Sequence, residues 1–250
     1  MFEMKTRITE LRASIEASLE ALLREAEVGP AVRYATFSGG KRIRPLLTLL
    51  AVEACGGDVR AALDAASAVE CLHCASLIWD DMPCMDNAAE RRGVPSLHVA
   101  FGEGVATLAA LSLMNMAYAI FGRYRGLAAE AGACVAQMID GQAADLRGGE
   151  RDHRKTIGLM RLTLTAGAIA CGASATEVRA LSRCGECLGE AYQILDDFED
   201  GDAASQRGAQ ELLLEAQTVL QREFGPRAVV LATAIDEIAA RAAQQRPVAA

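Results

Sequence analysis

Asp80-Asp81-Met82-Pro83-Cys84-Met85-Asp86, with Arg91-Arg92 close behind, is the stretch whose reading decides the fold. Val69 to Trp79 reads as an apolar helix, and Pro83 stops it by removing an N–H and crowding the carbonyl four residues back. The acids therefore sit at a helix C-terminus, which already carries about half a negative charge, so each carboxylate there costs ~0.3–1 kcal/mol unless a cation intervenes. Hard carboxylate oxygens suit Mg2+, which takes one or two carboxylates and completes its shell with phosphate oxygens. Arg91 and Arg92 would then hold the remaining phosphate oxygens. Taken alone, the cluster is equally a solvated acidic turn.

A second cluster changes that balance. Asp196 and Asp200 stand four residues apart in Leu195-Asp196-Asp197-Phe198-Glu199-Asp200-Gly201, so they share a helix face, about 40° out of line. Gly201 is a C-terminal cap, which again puts acids at the unfavourable end of a helix. Two such clusters facing each other across a cavity would hold divalent cations and make a diphosphate clamp. A further anion site is read at Gly39-Gly40-Lys41-Arg42-Ile43-Arg44-Pro45. There a glycine pair leads into a helix N-terminus opened by Lys41, with Arg44 on its first turn. His73, about two turns before Asp80, could donate to the same anion, although a lone histidine in an apolar helix is more often a core residue.

The bulk of the chain agrees with a helical host. Of 250 residues 52% are hydrophobic and only 4% aromatic, and alanine and leucine dominate, a composition for an all-α protein with a large core. A net charge of −8 without any basic block argues against nucleic acid or an anionic membrane as partner. Lys5, Lys41 and Lys155 are all the lysines present, so those inside motifs are informative. Met1 leads directly into an amphipathic helix, with no targeting signal, and the expectation is a reducing cytoplasm with the cysteines serving as small buried hydrophobes. Cys71-x-x-Cys74 and Cys184-x-x-Cys187 have zinc-like spacing but lie within helical patterns rather than on knuckles.

Helices are expected from Thr9, from Val32, from Lys41 to Cys55, and from Val59 to Trp79. Others are expected from Gly126 to Leu146, from Lys155, as a pair from Ala175 to Asp196, and on both sides of Gly225-Pro226. Arg92 to Ser96 reads as loop, and no strand pattern is visible. Gly104 to Gly122 carries no charge and is long enough to span a membrane. Thr107, Ser112 and Asn115 interrupt it, so it is read as the centre of a bundle or a dimer interface, without stable membrane insertion.

These motifs resemble those of the trans-isoprenyl diphosphate synthases, the polyprenyl synthetase family. The resemblance runs over residues 30 to 200. It rests on Asp80/Asp81/Asp86 with Arg91-Arg92-Gly93, on Asp196/Asp197/Asp200, on Gly39-Gly40-Lys41 with Arg44-Pro45, and on Lys155-Thr156, Gly141-Gln142 and Tyr192-Gln193. It implies a single all-α domain over residues 1–250, a large helical bundle around a central cavity of the isoprenoid synthase type. It also implies a homodimer, with a heterodimer as the alternative, and small diphosphates as substrates. The resemblance gives Asp80, Asp86 and Asp196 the role of holding about three Mg2+ ions on an allylic diphosphate, supported by Asp81, Asp197 and Asp200. Arg91 and Lys155 would touch that diphosphate, while Lys41, Arg44, His73 and Arg92 would hold isopentenyl diphosphate. Thr156 and Gln193 would steady the allylic cation through oxygen dipoles.

Ala75, five residues before Asp80, lies about 7.5 Å below the carboxylates. Farnesyl-forming relatives tend to place a bulky aromatic there, so Ala75 and Ser76 imply room for a farnesyl chain and geranylgeranyl diphosphate as product. The sequence departs from the family pattern after the second acid cluster, where Gly201 to Gly208 contains no lysine, only Arg207, and the region beyond residue 200 is short for the family. Trp79 and Ala110-Leu111 also differ from common family residues. The competing readings are a non-catalytic or weakly active regulatory subunit, a farnesyl diphosphate synthase, or a terpene cyclase on a similar bundle, which would have no use for Lys41 and Arg44.

Overall fold

A computed structural model describes residues 2–23, 28–147, 154–196 and 203–244. In chain order the helices are α1 (Phe2–Leu22), α2 (Gly29–Phe37), α3 (Ile43–Ala54), α4 (Leu63–Asp80), α5 (Leu97–Phe101) and α6 (Glu103–Phe121). They continue with α7 (Leu127–Asp145), α8 (Arg154–Ala170), α9 (Ala175–Asp196), α10 (Ala203–Phe224) and α11 (Val229–Gln244), the last two joined by a 3-10 turn at Gly225–Ala228. Among the described residues, the exception to this all-α fold is an antiparallel hairpin of β1 (Glu90–Arg91) and β2 (Val94–Pro95). Two compact units are distinguishable, one of Met1–Leu46 with Arg60–Ala128, the other of Leu47–Val59 with Ala129–Ala250. α3 contributes Ile43–Leu46 to the first and Leu47–Ala54 to the second.

In the first unit α4 is the central helix, packed on α1, α2 and α6. Leu11, Ile15 and Leu19 bury one stripe of α1 at successive helical turns, continued by Leu23 just past its end. On the same side Ser67 of α4 donates to Ser18 at 2.8 Å. Small residues, Ala65, Ala68 and Ala75 on α4 and Ala106, Ala109 and Ala110 on α6, are fully buried. The other face of α6 is open, with Leu108 55% and Leu111 49% exposed. Within one chain, then, α6 is a core helix on one side only, which sets aside the enclosed bundle centre of the two readings its charge-free sequence allowed. Among the described residues it is the helix long and apolar enough to cross a membrane.

In the second unit α9 packs on α8, α10 and α11. Its start is a capping box: Ser174 Oγ accepts the Glu177 N–H at 3.2 Å while the Glu177 carboxylate accepts from the Ser174 N–H at 3.0 Å. The Ser174 N–H and the Ser174 hydroxyl, which donates to Glu177 Oε2 at 2.9 Å, pull the Glu177 carboxyl below its ordinary pKa. Gly185 and Gly189, one turn apart, mark where α8 and α9 touch backbone to backbone. A Cβ on Gly185 would lie 2.6 Å from Arg161 Cα, and one on Gly189 2.7 Å from Ile157 Cα. Thr48 of α3 donates to the Thr163 carbonyl of α8 at 2.7 Å, and Arg161 pairs with Glu130 of α7 at 3.0 Å.

Several expectations need correction. α1 begins at Phe2 rather than Thr9 because nothing between them breaks a helix, and α9 is one helix rather than a pair because its glycines serve the α8 contact. The loop expected at residues 92–96 contains β2, since Arg92 and Gly93 take φ of 57° and 78° and so form the tight turn that joins two antiparallel strands. Nor are all cysteines buried: Cys84 is exposed in the turn after Pro83, and Cys55 and Cys171, just past the ends of α3 and α8, are half-buried. The zinc-spaced cysteines lie on α4 and α9, where burial raises Cys74 and Cys184 to about 12 and Cys187 to about 11, so they remain apolar thiols.

The glycine contact yields a signed expectation. An ordinary Gly→Ala change inside a helix gains about 0.5–1 kcal/mol, but overpacking against backbone costs about 1–3 kcal/mol. Gly189→Ala should lose stability in urea unfolding, whereas Gly132→Ala on α7, whose Cβ would meet nothing within 4 Å, should gain.

Candidate active site

Asp80 is the last residue of α4 and Asp81 its cap, both buried. After Pro83 the chain folds back. The Asp86 N–H donates to the Asp80 carbonyl at 2.9 Å and the Asn87 N–H to the Met82 carbonyl at 3.0 Å, with Asn87 at a φ of 49°. This return brings Asp86, exposed, to the same helix end as Asp80. Arg91, on β1, clasps Asp81: its Nε lies 3.0 and 3.2 Å from the two carboxylate oxygens and its Nη2 donates to Oδ1. The hydrogen bond to Asp81 raises the Arg91 pKa further. Asp81 thus orients Arg91, and Asp80 and Asp86 are the other carboxylates of this motif to weigh as metal ligands.

Among the described residues no three Asp, Glu, His or Cys side chains converge as a ready-made metal cage. Two carboxylates at one helix end nevertheless fit Mg2+, a hard ion that leaves most of its shell to water and substrate phosphate. Of the second acid cluster, the structure places the backbone of Asp196 at the end of α9. Asp197 and Asp200 lie outside the described residues.

The glycine pair that the sequence suggests as an anion site lies in the first unit. Gly39, Gly40 and Arg42 have φ of 103°, 134° and 50°, and the glycines make the first two of these possible without steric cost. α3 consequently starts at Ile43, which corrects the expected opening at Lys41: Lys41 lies exposed before the helix, and Arg44 is in its first turn. A left-handed Arg42 cannot continue a helix backwards, and its side chain shows what holds it there. Nε donates to Glu16 at 2.7 Å and Nη1 to Glu70 at 3.1 Å, with Arg42 and Glu70 both buried. The sequence reading passed over this pair. Its signal was Glu70 standing in the apolar run Ala68-Val69-Glu70-Cys71-Leu72, a buried charge that requires a partner.

Around this loop the expected basic residues gather. Arg92 Nη1 donates to the Gly39 carbonyl at 2.5 Å. A Cβ on Gly40 would meet Arg92 Nη1 at 2.8 Å and Arg42 Nη1 at 3.0 Å, so two guanidinium groups flank bare backbone. Arg44 Nη1 approaches His73 Nε2 at 3.4 Å. Arginine only donates, so Nε2 accepts and the ring proton is on Nδ1, a buried atom with no hydrogen-bond partner. Burial, then the charges of Arg44, Arg92, Arg91 and Arg42, hold His73 well below its ordinary pKa. A neutral N–H donor among arginines is suited to an anion such as phosphate.

In the second unit Lys155 Nζ donates to Gln142 Oε1 at 2.8 Å, and Thr156 Oγ1 to Gln193 Oε1 at 2.9 Å, across α7, α8 and α9. The second bond modifies the expected pairing of oxygen dipoles, because the Gln193 oxygen already accepts from Thr156. Ala75 and Ser76 are buried on α4, with Ser76 Oγ donating to the His73 carbonyl at 2.8 Å.

Residues 25–208 match the polyprenyl synthetase family. The chain is 37% identical over 246 residues to the geranylgeranyl diphosphate synthase of Pantoea ananas, a match covering 88% of this chain and 81% of that one. It is 36% identical over 230 residues to the chloroplastic geranylgeranyl pyrophosphate synthase of Capsicum annuum, covering 82% of this chain and 62%, less than two thirds, of the pepper protein. Its fold is similar to the crystal structure of an FPP/GFPP synthase from Zymomonas mobilis, with a TM-score of 0.84, 30% identity, and coverage of 95% and 99% of the two chains. This chain therefore belongs to the polyprenyl synthetase family.

His73 gives the site a pH signature. Its folded pKa lies below the unfolded value near 6.5, so the stability it contributes is complete above that value and declines as pH falls, because the unfolded chain takes the proton first. Replacement of His73 by Gln should flatten the loss of unfolding free energy between pH 7 and 5 by up to about 1.4 kcal/mol per pH unit. Equal slopes in the two proteins would show that folding leaves the His73 pKa unshifted.

Proposed function

We propose that this protein is a trans-prenyltransferase that condenses isopentenyl diphosphate with farnesyl diphosphate to give geranylgeranyl diphosphate. The observation that carries the reading is the gathering of Arg44, His73 and Arg92 at Gly39–Gly40, with His73 on the same helix as Asp80, whose neighbour Asp81 holds Arg91. Separate anchors for two diphosphates are what a condensation of this kind requires, and a terpene cyclase needs only one. The match over residues 25–208 runs through both units and supports one synthase domain.

When bound, Mg2+ would be held by Asp80, Asp86, Asp196, Asp197 and Asp200, about three ions in all, and would supply positive charge against the departing diphosphate. The chain's own groups do the rest. Arg91, fixed by Asp81, and Lys155, fixed by Gln142, stand as oriented cations for the allylic diphosphate and do not reorganise as charge develops there. Arg44, Arg92, Lys41 and the His73 Nδ1–H hold the isopentenyl diphosphate, which presents its double bond to the allylic carbon. Thr156 offers an oxygen lone pair to positive charge on that carbon, and the released diphosphate takes the proton. Exposed Leu108 and Leu111 on α6 support a homodimer through that face.

Incubation of the purified protein with Mg2+, farnesyl diphosphate and isopentenyl diphosphate should give geranylgeranyl diphosphate by mass spectrometry. Asp80→Ala should reduce kcat by about 10²–10³-fold, with a much smaller change in isopentenyl diphosphate affinity. The lysine-free segment at residues 201–208 favours a second reading, a regulatory subunit of such a synthase. Substrate binding without turnover would establish it. Product length is a matter of depth: Ala75→Tyr should shift the product toward farnesyl diphosphate when geranyl diphosphate is the primer, and an unchanged profile would refute Ala75 as the floor.

A further inference from the structure

The hairpin that carries Arg91 and Arg92 has only two residue pairs, Glu90 with Pro95 and Arg91 with Val94, too few to hold its shape in water unaided. Arg91 has its own anchor in Asp81. Arg92, at the turn, is exposed and is tied to the backbone carbonyl of Gly39. What fixes the rest of the hairpin against α2 lies outside every motif so far described.

Tyr34, in the last turn of α2, donates its hydroxyl to the Pro95 carbonyl at 2.9 Å. Its ring stands edge-on to Phe101 of α5, with centroids 5.3 Å apart and planes at 64°. Three residues after Tyr34 the helix ends, with Ser38 Oγ donating to the Tyr34 carbonyl at 2.5 Å, and Gly39 follows. α2 is thus joined to the hairpin at two points, Tyr34 to Pro95 and Gly39 to Arg92. Between them lies a small cavity of about 30 Å³, lined in part by Tyr34, Ser38, Cys74, Ile78, Arg92 and Pro95. Beside that gap the tyrosine hydroxyl is a direct bond between α2 and the hairpin.

We propose that Tyr34 is a positioning residue for isopentenyl diphosphate: its bond to the Pro95 carbonyl holds the hairpin so that Arg92 stays at Gly39–Gly40, beside the anion site of Arg44 and His73. This rests on the function proposed above. The effect is selective, because Arg91 is gripped by Asp81 whether or not the tyrosine bond is present, whereas Arg92 depends on where the hairpin lies. Pro95 is exposed, so water can replace the lost hydroxyl and the global fold does not depend on it.

Tyr34→Phe tests this by keeping the ring and removing the bond. Loss of one neutral hydrogen bond corresponds to roughly three- to tenfold in an equilibrium constant. The KM and the calorimetric Kd for isopentenyl diphosphate should rise by that factor, while kcat, the KM for farnesyl diphosphate and Tm stay near wild type. In an Arg92→Ala background the same change should have no further effect on isopentenyl diphosphate, the non-additivity of two residues acting through one contact. Amide exchange without substrate should quicken at residues 89–96 alone. Unchanged exchange there, equal effects on both substrates, or additive effects with Arg92→Ala would overturn the proposal. A wild-type protein that binds no isopentenyl diphosphate would overturn it together with the proposed function, and the exchange result would still report on the clamp itself.

Discussion

Negative charge placed at the carboxyl end of a helix is the constraint on which the site depends. Asp80 and Asp81 end α4 where its carbonyl dipoles already point outward, and both are largely removed from water. A fold can tolerate that only by supplying positive charge. Arg91 supplies it for Asp81, which is why a two-residue hairpin exists immediately after the acid turn. Without the hairpin, the arginine that follows the motif in sequence could not turn back onto the helix that precedes it. The fold-back of Asp86 onto the Asp80 carbonyl answers the same helix end with a backbone donor. Local stability and readiness for a cationic ligand are therefore one arrangement.

The same accounting separates two kinds of arginine. Arg42 is held by half-exposed Glu16 and by buried Glu70, and the joint removal of Arg42 and Glu70 from water contributes shape more than stability. The shape it gives is the left-handed turn that ends the glycine loop and sets the start of α3. Arg44 meets the His73 imidazole and Arg92 the Gly39 carbonyl, contacts of a different kind from the two carboxylates that hold Arg42.

Much of this was legible in the sequence, for identifiable reasons. Periodicity gave the helices, since a stripe such as Leu11, Ile15, Leu19 has one physical explanation. Charge clustering at a proline-terminated helix gave the first motif. What was not legible depended on contacts distant in sequence. The turn at Arg92–Gly93 is set by a left-handed arginine that propensity disfavours, and Arg42 looked like one more basic residue until its partners on α1 and α4 were in view. The true start of α3 was hidden for the same cause. Gly185 and Gly189 read as weak points in a helix and are instead the contact that lets α8 touch α9.

That contact also bears on chemistry. Gly189 lets the backbone of α9 descend onto Thr156 and Ile157, and one turn later Gln193 comes within 2.9 Å of Thr156 Oγ1. With a side chain at residue 189 the helices would stand farther apart, and a bond of that length could not form without bending one of them. The hydroxyl would then be free to rotate. Because Thr156 donates its proton to Gln193, its lone pairs point away from that bond, and the residue presents an acceptor with a fixed direction. A polar group whose orientation is set before any ligand arrives has no reorganisation cost when positive charge forms nearby. In the function proposed above, a helix-packing glycine is in this way part of the electrostatics that meets the allylic cation, although it touches no charge.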